Sequence, residues 1–487
     1  MKTQQMKVLP LLVFFLIHKV VAKDVVIITM CTSHLYLTES IAHGLIQKGH
    51  SVTYITSGEC KDRVEHFGAK IFSSESWNYV SNNGVDFASL IHLSKELVKM
   101  NTIGIRQLQD LLTQRKADIV LGDFFMSGVA VVTEKFNLPF INLQFVMADI
   151  CGVDNDRSAL SVMFGIDDNA SPMRKFLSQS FNDPIVNYLF SSVIDVATKK
   201  REEFGLGNPL TSYCHISVSY PCVVLLNPSY QTSCNSENIT SLGIITNNFS
   251  LPKVSPKISN FIDQSKKPIV YVAFGSELKP DVKTHKALIQ FFSDQSEYRV
   301  IYARYPLEDE IDSLPKHILG EQKVAQRTLL HDEKVKIFIS HCGLNSLIET
   351  IESEVVVICL PLGRDQDFSA KSVVDVGIGV KMKTPINQEN IASTFQLVSD
   401  RYEEYFTNIQ NQRQILTNMD GIGKIERMMD EFVNRSTRML KDDPTTFAHT
   451  LMLLCIVSFP IILILILMYC IFRFIYKCVA KPKQKTN

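Results

Sequence analysis

The chain has 487 residues, 46% hydrophobic and 21% charged, and its 50 Lys and Arg are matched by 50 Asp and Glu. This balance argues against a nucleic-acid partner, which an excess of Lys and Arg would be needed to meet. The 11 Cys include no CxxC pair, so a zinc or dithiol redox motif is not expected, and spacing alone does not say which of them pair.

In chain order, residues 1–22 read as a signal peptide, because Lys2 and Lys7 precede an apolar run at 8–17 and a small residue, Ala22, follows at the expected cut. The run is too short to cross hydrocarbon, which takes about 20 residues. Residues 24–29 then read as a buried strand. Leu37, Ile41 and Leu45 mark one face of a helix, Gly49 stops it, and 51–55 reads as the next strand. Strand, helix and strand at this spacing form a βαβ unit on a parallel sheet. The pattern returns with a strand at 118–121, a helix at 128–136, a turn at 137–139 and a strand at 140–143. The stretch 151–221 carries helix signals without strong motifs, and 247–267 is polar, with Pro252 and Pro256, and reads as a linker.

A second first strand begins at 268–274. The fold class expected is therefore α/β, with two doubly wound Rossmann-like domains, 23–250 and 251–440, facing a cleft at their strand carboxyl ends. The second half holds the most informative segment: a strand at 335–340, then His341, Cys342 and Gly343, then a helix carrying Asn345, Ser346 and Glu349. Free backbone N–H groups and the dipole at such a helix start form an anion site suited to a diphosphate. His341 can donate to phosphate oxygens, Asn345 and Ser346 add polar groups in the first turn, and Glu349 lies one turn further on, suited to accept from ribose hydroxyls.

These residues resemble the donor-binding signature of the UDP-glycosyltransferase family, the UDP-glucuronosyltransferases and their relatives, and the resemblance covers essentially the whole chain. Phe274, Gly275 and Ser276 resemble the opening of that family's donor domain. Gln326, Leu329 and Leu330 match its Gln-x-x-Leu-Leu stretch, which implies that Gln326 faces the uracil. Asp365 and Gln366 resemble the pair that grips the sugar hydroxyls. The chain departs from the pattern at Lys323, where the family has Trp, at Ala325 for Pro, at Asp332 and Glu333 for a His-Pro pair, at Gly363 for an aromatic and at Ser369 for Asn. Losing the Trp removes a stacking surface worth about 1–3 kcal/mol by analogy with base stacking. In the first half the resemblance makes His34 the general base toward an acceptor hydroxyl, with Asp123 orienting its ring.

Toward the end of the chain, 448–473 includes an uncharged apolar run at 451–472 that reads as a transmembrane helix. The Lys-rich 474–487 follows as a cytosolic tail, which gives type I topology with the body of the chain in the lumen. Lys483 and Lys485 resemble a dilysine retrieval signal of the endoplasmic reticulum. Asn238, Asn248 and Asn434 are glycosylation sequons on the expected lumenal side, and a further one at Asn169 is weakened by Pro172.

The resemblance thus implies an inverting transferase of the endoplasmic reticulum membrane, anchored in the bilayer through one helix. It would move a glucuronosyl or glucosyl group from UDP-glucuronic acid or UDP-glucose to a small lipophilic acceptor. No cofactor or metal is expected, since the helix start carries the diphosphate; homo-oligomer formation stays open. The departures keep a second reading in view: a family member weakened in catalysis that binds ligands or regulates a partner.

Overall fold

In a computed structural model the protein is described over residues 21–31, 33–72, 87–144, 191–207, 222–224, 239–245, 251–275, 279–303, 314–363 and 366–433. The first lobe is built on seven strands: β1 (Asp24–Ile28), β2 (Ser51–Ile55), β3 (Lys70–Ile71), β4 (Ile119–Asp123), β5 (Phe140–Gln144), β6 (Cys222–Val224) and β7 (Ile239–Ser241). They lie in the order β3-β2-β1-β4-β5-β6-β7, every neighbouring pair parallel. Parallel strands are covered on both faces, which is why β4 and β5 are buried along their whole length rather than alternating in and out. The helices covering them include α1 (Ser33–Gln47), α2 (Lys61–His66), α3 (Phe87–Gln114) and α4 (Ala130–Lys135). The helix expected at 128–136 begins instead as a 3-10 run over Phe124–Val129 before α4 continues it.

The second lobe repeats the plan with β8 (Ile269–Ala273), β9 (Arg299–Ala303), β10 (Ile318–Glu321), β11 (Val335–Ser340), β12 (Val356–Cys359) and β13 (Gly379–Lys381). Their order is β10-β9-β8-β11-β12-β13, again all parallel. Each sheet therefore reverses its winding once among these strands, between β1 and β4 in the first lobe and between β8 and β11 in the second. At such a switch point the loops leave in opposite directions and open a crevice at the carboxyl ends of the strands.

The segment read as a linker at 247–267 contains a helix, α5 (Pro256–Asp263). Its cues are local. Ser255 caps it by accepting from the Ile258 N–H at 3.3 Å, Pro256 takes the first helical position, and Ile258, Phe261 and Ile262 are buried against the second sheet. Beyond it lie α6 (Val282–Asp294), α7 (Gln326–Leu330), α8 (Leu344–Glu352), α9 (Gln366–Asp375), α10 (Gln388–Asp400), α11 (Tyr402–Thr417) and α12 (Gly421–Val433).

The lobes share an apolar core. Leu35, Leu37 and Ile41 of α1 belong to one buried cluster with Leu347, Ile348 and Ile351 of α8 and with Leu416 and Ile425 from α11 and α12. The last helix packs back on the first lobe. Lys23 pairs with Asp430, His50 Nε2 lies 3.3 Å from Glu426, and a Cβ on Gly44 would stand 2.6 Å from the Ile422 side chain. Such tight contact between helices fixes how the two switch points sit relative to each other.

Among the described residues no helix is long and apolar enough to cross a membrane. The expected signal peptide at 1–22 lies outside them except for its last two residues, and the expected membrane helix at 448–473, the tail at 474–487 with Lys483 and Lys485, and the sequons at Asn169, Asn238, Asn248 and Asn434 lie outside them altogether.

Candidate active site between the two lobes

Strand β4 ends in Asp123, a wholly buried carboxylate at the first switch point. A carboxylate is stable there only with its oxygens satisfied. His34 Nδ1 lies 2.8 Å from Oδ2, the Thr29 hydroxyl donates to the same oxygen at 3.0 Å, and the Phe125 N–H donates to Oδ1 at 3.0 Å. A carboxylate only accepts, so the proton of the neutral imidazole sits on Nδ1 and the basic lone pair on Nε2. The Phe125 ring stacks on His34 at 5.4 Å and 28° and restricts the other face. Sequence reading paired His34 with Asp123 but missed Thr29 and Phe125. Each stands at a strand end facing the crevice, a cue of place rather than of residue type.

The second switch point presents β11 and the turn after it. Cys342 has φ 60°, an uncommon conformation for a residue with a side chain, and its N–H is held by the Ser340 hydroxyl at 3.0 Å. A disulfide joins Cys342 to Cys359 at the end of β12, and another joins Cys31 to Cys60 in the first lobe. Gly343 precedes α8 and offers no side chain to its first turn, so the N-terminal N–H groups face the crevice without a side-chain cap. The His341 ring lies between Gly275 and Gly343, where a Cβ would come within 2.8 Å and 2.7 Å of it respectively. Two glycines on these flanks are what let the ring fit. Burial drives the His341 pKa down to about 4, keeping the ring neutral, and its Nδ1 is a buried polar atom with no partner among the described residues. Such an orphan in a native fold marks a place where something else can bind.

The other predicted donor residues follow from α7, α8 and α9. Ser346 is buried and Asn345 half-buried in the first turn of α8. Gln326 is bonded at both ends of its amide: the Tyr271 hydroxyl donates to Oε1 at 3.2 Å, while Nε2 donates to Glu349 Oε2 at 2.6 Å and contacts Ser346 Oγ at 3.3 Å. Glu349 is buried, which raises its pKa, and it also accepts from the Tyr36 hydroxyl of α1 at 2.5 Å. That bond joins the two lobes at the site, two residues beyond His34. Gln366 opens α9 and accepts the Leu362 N–H at 2.8 Å, which leaves its NH2 as the group able to donate. Ser276 and Asp365 lie outside the described residues. Among those described, no group of three or more His, Cys, Asp and Glu is arranged to hold a metal ion.

Two Rossmann-like lobes, one carrying the His34–Asp123 pair and the other an uncapped helix start after Gly343, define a two-lobed nucleotide-sugar transferase of GT-B architecture. The fold is shared with the glycotransferase of kitacinnamycin, at a TM-score of 0.65 and 16% identity over 85% of this chain and 100% of that one. It is shared too with Arabidopsis thaliana UGT89C1 complexed with UDP-L-rhamnose, at a TM-score of 0.60 and 16% identity over 84% and 99% of the two chains. Residues 53–415 match the family described as UDP-glucoronosyl and UDP-glucosyl transferase, and the chain belongs to that family. It is thus a glycosyltransferase of the UDP-sugar class. Its relatives include the NDP-glycosyltransferase YjiC of Bacillus subtilis, 22% identical over 83% of this chain and 95% of that protein. UDP-glycosyltransferase UGT4 of Dactylopius coccus is 23% identical over 80% of each. A shorter match, 30% identical over 34% of this chain and 32% of the relative, is to the ecdysteroid UDP-glucosyltransferase of Lymantria dispar multicapsid nuclear polyhedrosis virus.

Proposed function

We propose that the chain moves a glucuronosyl or glucosyl group from its UDP-sugar to a hydroxyl of a small lipophilic acceptor, with inversion at the anomeric carbon. The observation that carries this reading is the pairing at 2.8 Å of Asp123 with His34, which lies on the helix whose Tyr36 touches the donor half at Glu349.

His34 Nε2 takes the proton of the acceptor hydroxyl as its oxygen attacks the anomeric carbon from the side opposite UDP. Asp123, held by Thr29 and the Phe125 N–H, keeps the tautomer and stabilises the imidazolium that forms. The carbon–oxygen bond to the diphosphate breaks in the same step, and the charge leaving on UDP falls on the helix start after Gly343 and on the His341 ring. Asp365 and the Gln366 NH2 hold sugar hydroxyls. No cofactor is assigned a part.

Arg364, beside Asp365, is a cation suited to the carboxylate of glucuronic acid, and glucose needs none; both donors are retained. The viral relative named for ecdysteroid glucosylation supports an acceptor of steroid type. We place the lobes on the lumenal side of the endoplasmic reticulum membrane, anchored by 448–473, on the apolar and basic pattern of the carboxy-terminal residues. The test is a UDP-sugar screen against a mixed panel of hydroxyl acceptors with intact-mass detection. One donor should yield a product heavier by one hexosyl or hexuronosyl residue. A protein that binds UDP yet forms no product with any donor would be a ligand-binding member rather than a working transferase.

A further inference from the structure

The first turn of α1 carries a second group aimed at the donor half. Tyr36 stands two residues beyond His34, and its hydroxyl donates to Glu349 Oε1 at 2.5 Å across the seam between the lobes. Gln326 donates to the opposite oxygen, Oε2, at 2.6 Å. Each carboxylate oxygen accepts along two directions, so one on each oxygen is left for a ligand. Two donors on opposite oxygens also fix the terminal torsion of Glu349, which is otherwise broad. Tyr36 is itself held, with the Arg63 guanidinium over its ring at 5.7 Å. Burial and the neighbouring carboxylate push its phenol well above the ordinary range, so it serves as a donor and not as an acid.

We infer that Tyr36 is a positioning residue for the nucleotide, turning Glu349 so that its two remaining acceptor sites meet the vicinal hydroxyls of the donor's ribose. The inference rests on the reading of the His341 turn and α8 as the UDP site. It adds that the lobe carrying the base also sets the grip on the donor, so the lobes must be closed on each other for full donor affinity. The arrangement is economical in sequence: one helix start supplies the base at His34 and the prop at Tyr36.

The test is calorimetric titration of UDP and of 2′,3′-dideoxy-UDP into the wild-type protein and into Tyr36→Phe, which keeps the ring and its contact with Arg63. Wild type should prefer UDP by more than tenfold. Tyr36→Phe should weaken UDP by about tenfold, the loss expected for one hydrogen bond to a charged group, and leave the dideoxy nucleotide within about twofold. Adding Tyr36→Phe to Glu349→Gln should weaken UDP little beyond Glu349→Gln alone, because both changes remove the same contact. Equal weakening of both nucleotides would mean that Tyr36 only packs the seam, and no weakening of either would mean that it does not act on the ligand; each result overturns the inference while leaving the UDP site standing. A wild-type protein that binds neither nucleotide would overturn the site itself.

Discussion

His34 and His341 both stand at a switch point, although in sheet order β11 is the counterpart of β4 and not of β1. Each follows a strand at its sheet's switch point, β1 in one case and β11 in the other, and each lies within three residues of a disulfide cysteine, Cys31 or Cys342. Their surroundings differ. His34 touches a buried carboxylate at 2.8 Å, whereas His341 sits between two glycines, its pKa lowered to about 4 by burial. One ring is thus oriented by a carboxylate, and the other is kept neutral by burial beside an uncapped helix start. The neighbour decides the task, and the residue type does not.

The largest expected effect is at the carboxylate. Asp123→Asn should lower kcat by roughly 100- to 10,000-fold, because the asparagine no longer selects the tautomer or balances the imidazolium. UDP affinity, read by titration, should stay within about twofold. A matching loss of UDP affinity would mean that the variant disturbs the fold rather than the base.

The next effect is a pH dependence at His341. A histidine whose pKa is near 4 in the folded chain and 6.5 when unfolded leaves the unfolded state binding more protons below pH 6.5. Stability is therefore lost as pH falls from about 6.5 toward 4, by on the order of 3 kcal/mol at the lower end. Thermal melts over that window should fall less steeply for His341→Gln than for wild type. Bound UDP should reverse part of the wild-type loss, since a diphosphate beside the ring favours its proton, so the UDP-induced rise in Tm should grow as pH is lowered. A UDP effect independent of pH would detach His341 from the phosphates.

The smallest effect is expected at Gly275, where φ is 74° and an added Cβ would lie 2.8 Å from the His341 ring. Gly275→Ala should cost about 1–3 kcal/mol from the strained conformation and crowd the donor turn. Chemical denaturation checks the stability, and the KM for UDP-sugar should rise while kcat holds. The corresponding change beside His34 has no such expectation, because its ring is fixed by Asp123 and Phe125 instead of by bare glycines.

Much of this was legible before the fold was seen. Short apolar runs such as Val25 to Ile28 and Val335 to Ser340, each followed by a helical period, give parallel sheets because such strands are covered on both faces. The His341 turn was legible because glycine, histidine and a helix start fall together within a few residues. Helix α5 reads as a linker in the sequence, although Ser255 and Pro256 form an N-cap signal, because the polar stretch around it outweighs a single apolar face. What depends on long-range approach was not legible. Tyr36 and Glu349 are 313 positions apart, and Lys23 and Asp430 are 407 apart, so no local period points from one to the other. The pairing of Cys342 with Cys359 followed from β11 lying beside β12, a fact of sheet order rather than of cysteine spacing.

In the proposed reaction two histidines divide the work, one lobe activating the acceptor and the other holding UDP. The most direct measurement compares UDP affinity and UDP-sugar turnover for wild type and His34→Ala under the same conditions. The account predicts UDP dissociation constants within about twofold of each other and a turnover reduced by 1,000-fold or more in the variant, at the upper end of what a general base contributes. Equal turnover in the two proteins, or loss of UDP binding along with turnover, would contradict it.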